Sequence, residues 1–214
     1  DTEIFPVLDA LFTGIYGHNP YKSPTDMGVN MVGFCIDDDA ACCEASKQEI
    51  IRRYYHALND FANGDISESV VNRIARLFKQ VGISTADRRT TVAANERKER
   101  NNAMAVAAIE LHDGHIITAE ASDLLGSSAA LLLNATKYLA GIDHAIKLIP
   151  QEMIEPIQHT KISYLRSRNP RLHTDEVLVA LSVLSLHDEN CRKTLEALPQ
   201  LASCQVHSTV MLSE

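Results

Sequence analysis

Ala105 to Leu111, apolar but for Glu110, runs into His112-Asp113-Gly114-His115, and Ile116 to Glu120 follows as a second short run. An Asp-Gly pair between two such runs is a strong local signal for a β-hairpin, because the pair accepts the backbone angles a tight turn demands. A hairpin over 105–120, in a chain whose other apolar residues recur mostly at helical spacing, excludes an all-helical fold. The pattern predicts an α+β chain: a mostly helical section over 1–100, then a small sheet packed with helices over 101–214.

Glu3 to Tyr16 reads as a short helix with Pro6 in its first turn, where a missing N–H costs little. Ile50, Ile51, Tyr54, Leu58 and Phe61 mark a long helix over 37–62, with Asp37-Asp38-Asp39 at its positive N-terminal end and Asn63-Gly64 as its stop. Val70, Val71, Ile74, Leu77 and Phe78 mark another over 67–81, stopped by Gly82. Thr85 to Arg100 is polar and reads as a third helix or a mobile arm. Beyond the hairpin, helices are expected over 129–140, 153–165, 174–186 and 190–198, with a final strand over 205–212. The section boundary falls near Asn101-Asn102.

Trp is absent and aromatic residues make up 5% of the 214, so the core must be Leu, Ile, Val and Ala, which suits helices. The net charge of -8 argues against a nucleic-acid partner, since phosphate neutralisation needs clustered Lys and Arg. No apolar run reaches the roughly 18 residues a membrane helix requires, so no membrane partner is expected. Asp1-Thr2-Glu3 is not the basic opening of a secretory signal, and the missing start Met suggests a fragment or processed product. Cys35, Cys42, Cys43, Cys191 and Cys204 follow no disulfide or zinc spacing, so reduced thiols, a cytoplasmic location and no metal are expected.

Residues 16–34, YGHNPYKSPTDMGVNMVGF, concentrate polar side chains between prolines and glycines and are expected to form a functional loop. Lys22 could neutralise an anion while His18 or Asp26 moves a proton, with Asn19, Tyr21, Ser23 and Asn30 as binding groups. Ser23 is a conceivable nucleophile with no base identifiable beside it. The alternative is a structural loop in which Asn19, Ser23, Thr25 and Asp26 satisfy backbone groups. Gly126-Ser127-Ser128 opens a helix and either holds a phosphate or carboxylate on its free N–H groups or forms a capped turn. Arg166, Arg168, Arg171 and His173 precede a helix for which Thr174 is the expected N-cap. They form an anion site with His173 as an acid–base group, or ordinary surface ion pairs.

The strings YGHNPYKSPTDMGVNMVGFCI, ASKQEIIRRYYHAL, LLGSSAALLLNATKYLAGI, SRNPRLHTDEVLVALS and CQVHSTVMLS resemble the DUF1846 family, also called UPF0371, specifically its C-terminal part. The resemblance covers essentially the whole chain. It implies a helical subdomain followed by one of cytidine-deaminase-like topology. It also implies an upstream N-terminal domain with a phosphate-loop-like segment, as an intramolecular partner and the only source of a nucleotide site. The family is uncharacterised. A zinc deaminase needs H-x-E on a helix and a later P-C-x-x-C; Gly126-Ser127-Ser128 stands near the first place and the chain has no Cys-x-x-Cys.

Two functions follow. In the first, the chain is part of an enzyme in which the polar loop, the arginine segment and the Gly-Ser-Ser start converge on a small phosphorylated or carboxylated anion. In the second it is a non-catalytic module whose helical section, with Tyr54, Tyr55 and Phe61, mediates docking or assembly of a homo-oligomer.

Overall fold

The computed structural model of the chain describes residues 3–31 and 37–211. It is α+β and divides into two compact units, Asp1–Arg88 and Arg89–Glu214. The expected boundary near residue 101 is displaced towards the start of the chain, for a reason given below.

The first unit holds Phe5–Tyr16 (α1), Pro24–Met31 (α2), Asp39–Asn63 (α3) and Glu68–Val81 (α4). The acidic run starts α3 as read: the Asp38 side chain accepts from the Ala41 N–H at 2.9 Å, and Gly64 closes the helix at φ 85°. α3 and α4 pack through Ile50, Ile51, Leu77 and Ile83, and through Ala57, Val71 and Ile74. Tyr54 lies 4.9 Å from the Phe78 ring and, like Tyr55, is half-buried, while Phe61 remains exposed.

α2 departs from the loop expected over 16–34. Pro24 opens it, and the Ser23 hydroxyl caps it by accepting from the Asp26 N–H at 3.0 Å. Ser-Pro-Thr-Asp is a helix-start signal, masked here by Gly28 and Asn30, which are poor helix formers. Val32, Gly33, Phe34 and Cys35 lie outside the described residues.

The second unit opens with Arg89–Asn101 (α5), which is neither an arm nor part of the first section. Its Ala93 and Ala94 pack on Val106, Ala108 and Ile116, and Arg97 bridges to Glu120 at 2.6 Å. That packing moves the boundary to Arg88/Arg89. Val106–Glu110 (β1), Ile116–Glu120 (β2) and Gln205–Ser208 (β3) form an antiparallel sheet in the order β2-β1-β3. Register runs from Val106 opposite Glu120 to Glu110 opposite Ile116, and Ala108 faces His207 on the other side. The hairpin turn is closed by Gly114 N–H to the Leu111 carbonyl at 2.9 Å, with Gly114 at φ 79°, so the Asp-Gly reading holds. β3 is shorter than the expected strand over 205–212, and Leu212 lies outside the described residues.

Ser127–Leu139 (α6) covers the sheet face opposite α5, burying Leu131 and Ala135 against Ala107, Ile109 and Ala119. Gln151–Ser163 (α7), Thr174–Leu184 (α8) and Glu189–Ala197 (α9) enclose the largest cluster, built on Leu133, Ile154, Leu172, Val177, Leu181 and Cys191. A hairpin, a helix and a later strand follow one another as read; three antiparallel strands do not by themselves identify a deaminase-like topology.

Leu172 is fully buried, so Leu172→Ala is expected to cost about 2–5 kcal/mol in denaturant unfolding. A second expectation concerns pH. Arg52 and Arg53, each 2.7 Å away, hold the Glu49 carboxyl at about 2, below its ordinary 4.5. A carboxyl lowered by folding stabilises the fold above its unfolded value and loses that contribution as pH falls through its folded value. Glu49→Gln should therefore lower stability by about 0.5–1 kcal/mol at neutral pH, a figure reduced for solvent screening. The difference from the parent chain should shrink below pH 4.5 and disappear near pH 2.

Candidate functional site

In the second unit, the loop before α6 and the segment before α8 are joined by the backbone. Leu125 and Leu172 form a parallel bridge; Leu172 N–H donates to the Leu124 carbonyl at 2.9 Å, and Gly126 N–H donates to the Leu172 carbonyl at 3.0 Å. This staple sets the starts of two helices side by side at a cavity of about 550 Å³. Gly126, Ser127, Ser128, Asn169, Arg171, His173, Thr174 and Asp175 line its polar side, and Met104, Val210 and Met211 contribute apolar wall.

Gly126 is the N-cap of α6 and supplies no side-chain acceptor, so Ser127 and Ser128 are the first helical residues and not caps. The first N–H groups of such a helix lack partners within it, and their aligned dipoles favour negative charge. At α8 the expected N-cap, Thr174, is instead the first helical residue; His173 takes the cap position and its N–H donates to Glu176 Oε2 at 2.8 Å. Lys161, buried on α7, donates to the same carboxylate oxygen at 2.7 Å and to the Arg171 carbonyl at 2.7 Å. Sequence reasoning missed this lysine, for nothing in its neighbours distinguishes it from the surface lysines.

Arg171 is half-buried. Its Nε donates to the Ser122 carbonyl at 2.5 Å and its Nη2 stands 4.0 Å from Asp123, which leaves guanidinium donors for a ligand. Arg166 and Arg168 are exposed and do not line the cavity; the three arginines thus separate, with Arg171 alone drawn in by the residue it precedes, Leu172. The Asn169 amide organises the rest. Its Oδ1 accepts from Arg171 N–H at 3.1 Å, which orients its Nδ2 towards His173 Nε2 at 3.0 Å. In the Nδ1–H tautomer of neutral His173, Nε2 accepts from this amide.

The other predicted site residues belong to the first unit, where they bond chiefly to one another. Asn19 Nδ2 donates to Asp9 at 2.8 Å while its Oδ1 accepts from Tyr21 N–H at 2.9 Å. The Tyr21 ring lies 5.9 Å from Phe12. Buried Asp26 accepts from Lys22 N–H at 2.7 Å and from Asn30 Nδ2. Lys22 Nζ pairs with Asp39 at 2.8 Å, and this hydrogen bond raises the lysine above its usual range. The Ser46 hydroxyl ties α3 to α2, donating to Thr25 Oγ1 and accepting from Thr25 N–H. Exposed His18 has its Nδ1 3.2 Å from the Tyr16 carbonyl. Asn19, Ser23 and Asp26 thus each accept a backbone N–H, while the Thr25 hydroxyl meets Ser46.

Among the described residues no group of three or more His, Cys, Asp or Glu is placed to hold a metal ion, and no helix is long and apolar enough to cross a membrane. Cys204 packs at the α6 side of the sheet, while His207 pairs with Ala108, whose side chain lies in the cluster under α5.

Residues 1–82 match the family model for the domain of unknown function DUF1846, N-terminal, and residues 86–214 match its C-terminal counterpart. The expectation that the whole chain lies in the family's C-terminal part is corrected accordingly: the first unit matches the N-terminal model. The chain is 55% identical over 212 residues to a UPF0371 protein of Corynebacterium urealyticum, covering 99% of this chain and 42% of that one. It is 50% identical over 212 residues to one of Corynebacterium glutamicum, covering 99% and 43%. It is 48% identical over 214 residues to one of Streptococcus thermophilus, covering 100% and 43%. The chain thus spans less than half the length of these relatives.

The Asn169 contact makes a testable statement about His173. Ring nitrogen NMR shifts should report the Nδ1–H tautomer in the parent chain and a relaxed mixture in Asn169→Ala. A dominant Nε2–H tautomer in the parent would contradict the hydrogen-bond assignment.

Proposed function

This chain belongs to the DUF1846 (UPF0371) family, and we propose that its second unit binds a small phosphorylated or carboxylated molecule at the cavity between the starts of α6 and α8. The observation that carries the reading is the convergence of two helix N-termini with Arg171 on one cavity. The N–H groups of Ser127, Ser128 and Thr174 and the two serine hydroxyls offer donors, and the guanidinium offers charge-assisted ones. Asp175 on the same wall disfavours a bare anion and favours a ligand that also carries a hydroxyl or amine to donate to it. Met104, Val210 and Met211 would hold an apolar body behind the acidic head. A cavity of this size suits a small metabolite.

In the enzyme form of this proposal, His173 performs proton transfer: Nε2 is occupied by Asn169, so Nδ1–H acts as donor towards the ligand. The polar segment around His18, Lys22 and Asp26 keeps a structural role, and a nucleotide is no part of the reading. The cytoplasm, where phosphorylated metabolites abound, is the proposed location.

A second reading, a docking or self-associating module, draws on exposed apolar side chains at four-residue spacing. Val7, Leu11 and Ile15 form such a stripe on α1, and Val179 and Val183 form one on α8.

A thermal-shift series with inorganic phosphate, glycerol 3-phosphate, 3-phosphoglycerate and citrate separates the two. Ligand at about a hundredfold over its Kd should stabilise the chain by about 2.7 kcal/mol. The shift should be lost in Arg171→Ala and reduced in Ser128→Ala. Absence of any shift, or an equal shift in Arg171→Ala, favours the module.

A further inference from the structure

Lys137, on the last turn of α6 and bonded to the segment that follows the helix, is 7% exposed, and burial lowers its pKa while Asp143 opposes the shift. An ammonium carries three donors. Two are taken by the His144 and Ile146 carbonyls, each at 2.6 Å. Among the described residues no carboxylate lies within ion-pair distance of it; Asp143, the nearest acid in sequence, uses Oδ1 to accept from Ala145 N–H at 2.8 Å. Buried Lys161 makes the contrast, with Glu176 at 2.7 Å. A buried charge without a counter-ion is costly, and such charges are ordinarily paired.

Lys137 lines a cavity of about 250 Å³, separate from the one between the starts of α6 and α8. Its walls are aliphatic: Leu124, Leu133, Leu148, Ile149 and Ile154. The charged or titratable groups on its lining are Lys137, His144 and Lys147, and Asn134 adds an amide one turn before Lys137. In a chain of net charge -8, a lining with basic groups and no Asp or Glu is selective for negative charge. The volume lies below the about 300–1,000 Å³ typical of drug-sized ligands, so the occupant is small.

We propose that this cavity binds a small monocarboxylate with a short aliphatic tail, its carboxylate accepting the remaining Lys137 N–H and its tail lying among the leucines and isoleucines. The carboxylate supplies the missing counter-ion, and the aliphatic walls set the specificity against polar anions such as inorganic phosphate.

Sodium pentanoate, titrated into the 214-residue chain carrying labelled methyl groups, tests this directly. Saturable shifts are expected at the methyls of Leu133, Leu148, Ile149 and Ile154. Pentan-1-ol, which has the tail without the charge, should bind at least about tenfold more weakly, as loss of a charge-assisted contact implies. Lys137→Met should weaken pentanoate comparably. If that variant fails to fold, the comparison of acid and alcohol on the parent chain decides alone. Equal affinity for pentan-1-ol, undiminished binding by a folded Lys137→Met chain, or unmoved methyls at high pentanoate would each overturn the proposal. Because the readout is local to this cavity, failure here leaves the reading of the other one standing, and the reverse.

Discussion

The second unit depends on the short parallel bridge between Leu125 and Leu172. Neither residue belongs to a strand of the sheet, yet two backbone hydrogen bonds lock the segments together before either helix begins. The Leu172 side chain sits at 0% exposure in the cluster that α6, α7, α8 and α9 share, so the bridge is anchored by apolar burial as well as by hydrogen bonds. With the bridge in place, the starts of α6 and α8 must lie side by side. The polar cavity is the product of that constraint, not of any single residue on its wall. Lys161 and Glu176 then brace the start of α8 from behind.

The unit treats its two buried lysines differently. Lys161 meets the Glu176 carboxylate and the Arg171 carbonyl, which ties α7 to the segment carrying Asn169 and His173. Among the described residues Lys137 meets carbonyls alone. Both lysines stand on helices that border a cavity or support one, and among the described residues Lys161 has a carboxylate partner where Lys137 has none.

Legibility of the sequence followed the strength of the local signal. The hairpin was readable because Asp113-Gly114 carries its own turn chemistry, and α3 because an acidic run, an apolar face and Asn63-Gly64 all agree. α5 was hard to place because its buried face is made of Thr90, Thr91 and Ala94, residues too small or too polar to show as apolar periodicity. α2 was hidden by Gly28 and Asn30 despite its Ser-Pro-Thr-Asp start. Gly126, Ser127, Ser128, Arg171 and His173 were legible as site candidates from type and spacing, and the structure brings them to one cavity. What could not be read was the long-range part: Leu172 as a staple, Asn169 as the residue whose amide meets the His173 ring, and the separation of Arg171 from Arg166 and Arg168. Those roles come from contacts across the fold, to which local spacing is blind.

β3 lies beside β1 although Val106 and Thr209, hydrogen-bonded at 3.0 Å, are 103 positions apart. The residues that follow β3, Val210 and Met211, complete the apolar wall of the polar cavity. Closing so long a loop is entropically slow compared with forming the local hairpin. During synthesis on the ribosome, the hairpin and its covering helices can form early, while the polar cavity must wait for a strand that emerges far later. A truncated or stalled nascent chain would therefore carry a nearly finished scaffold with an unfilled edge on β1, the kind of exposed strand that invites aberrant pairing between molecules.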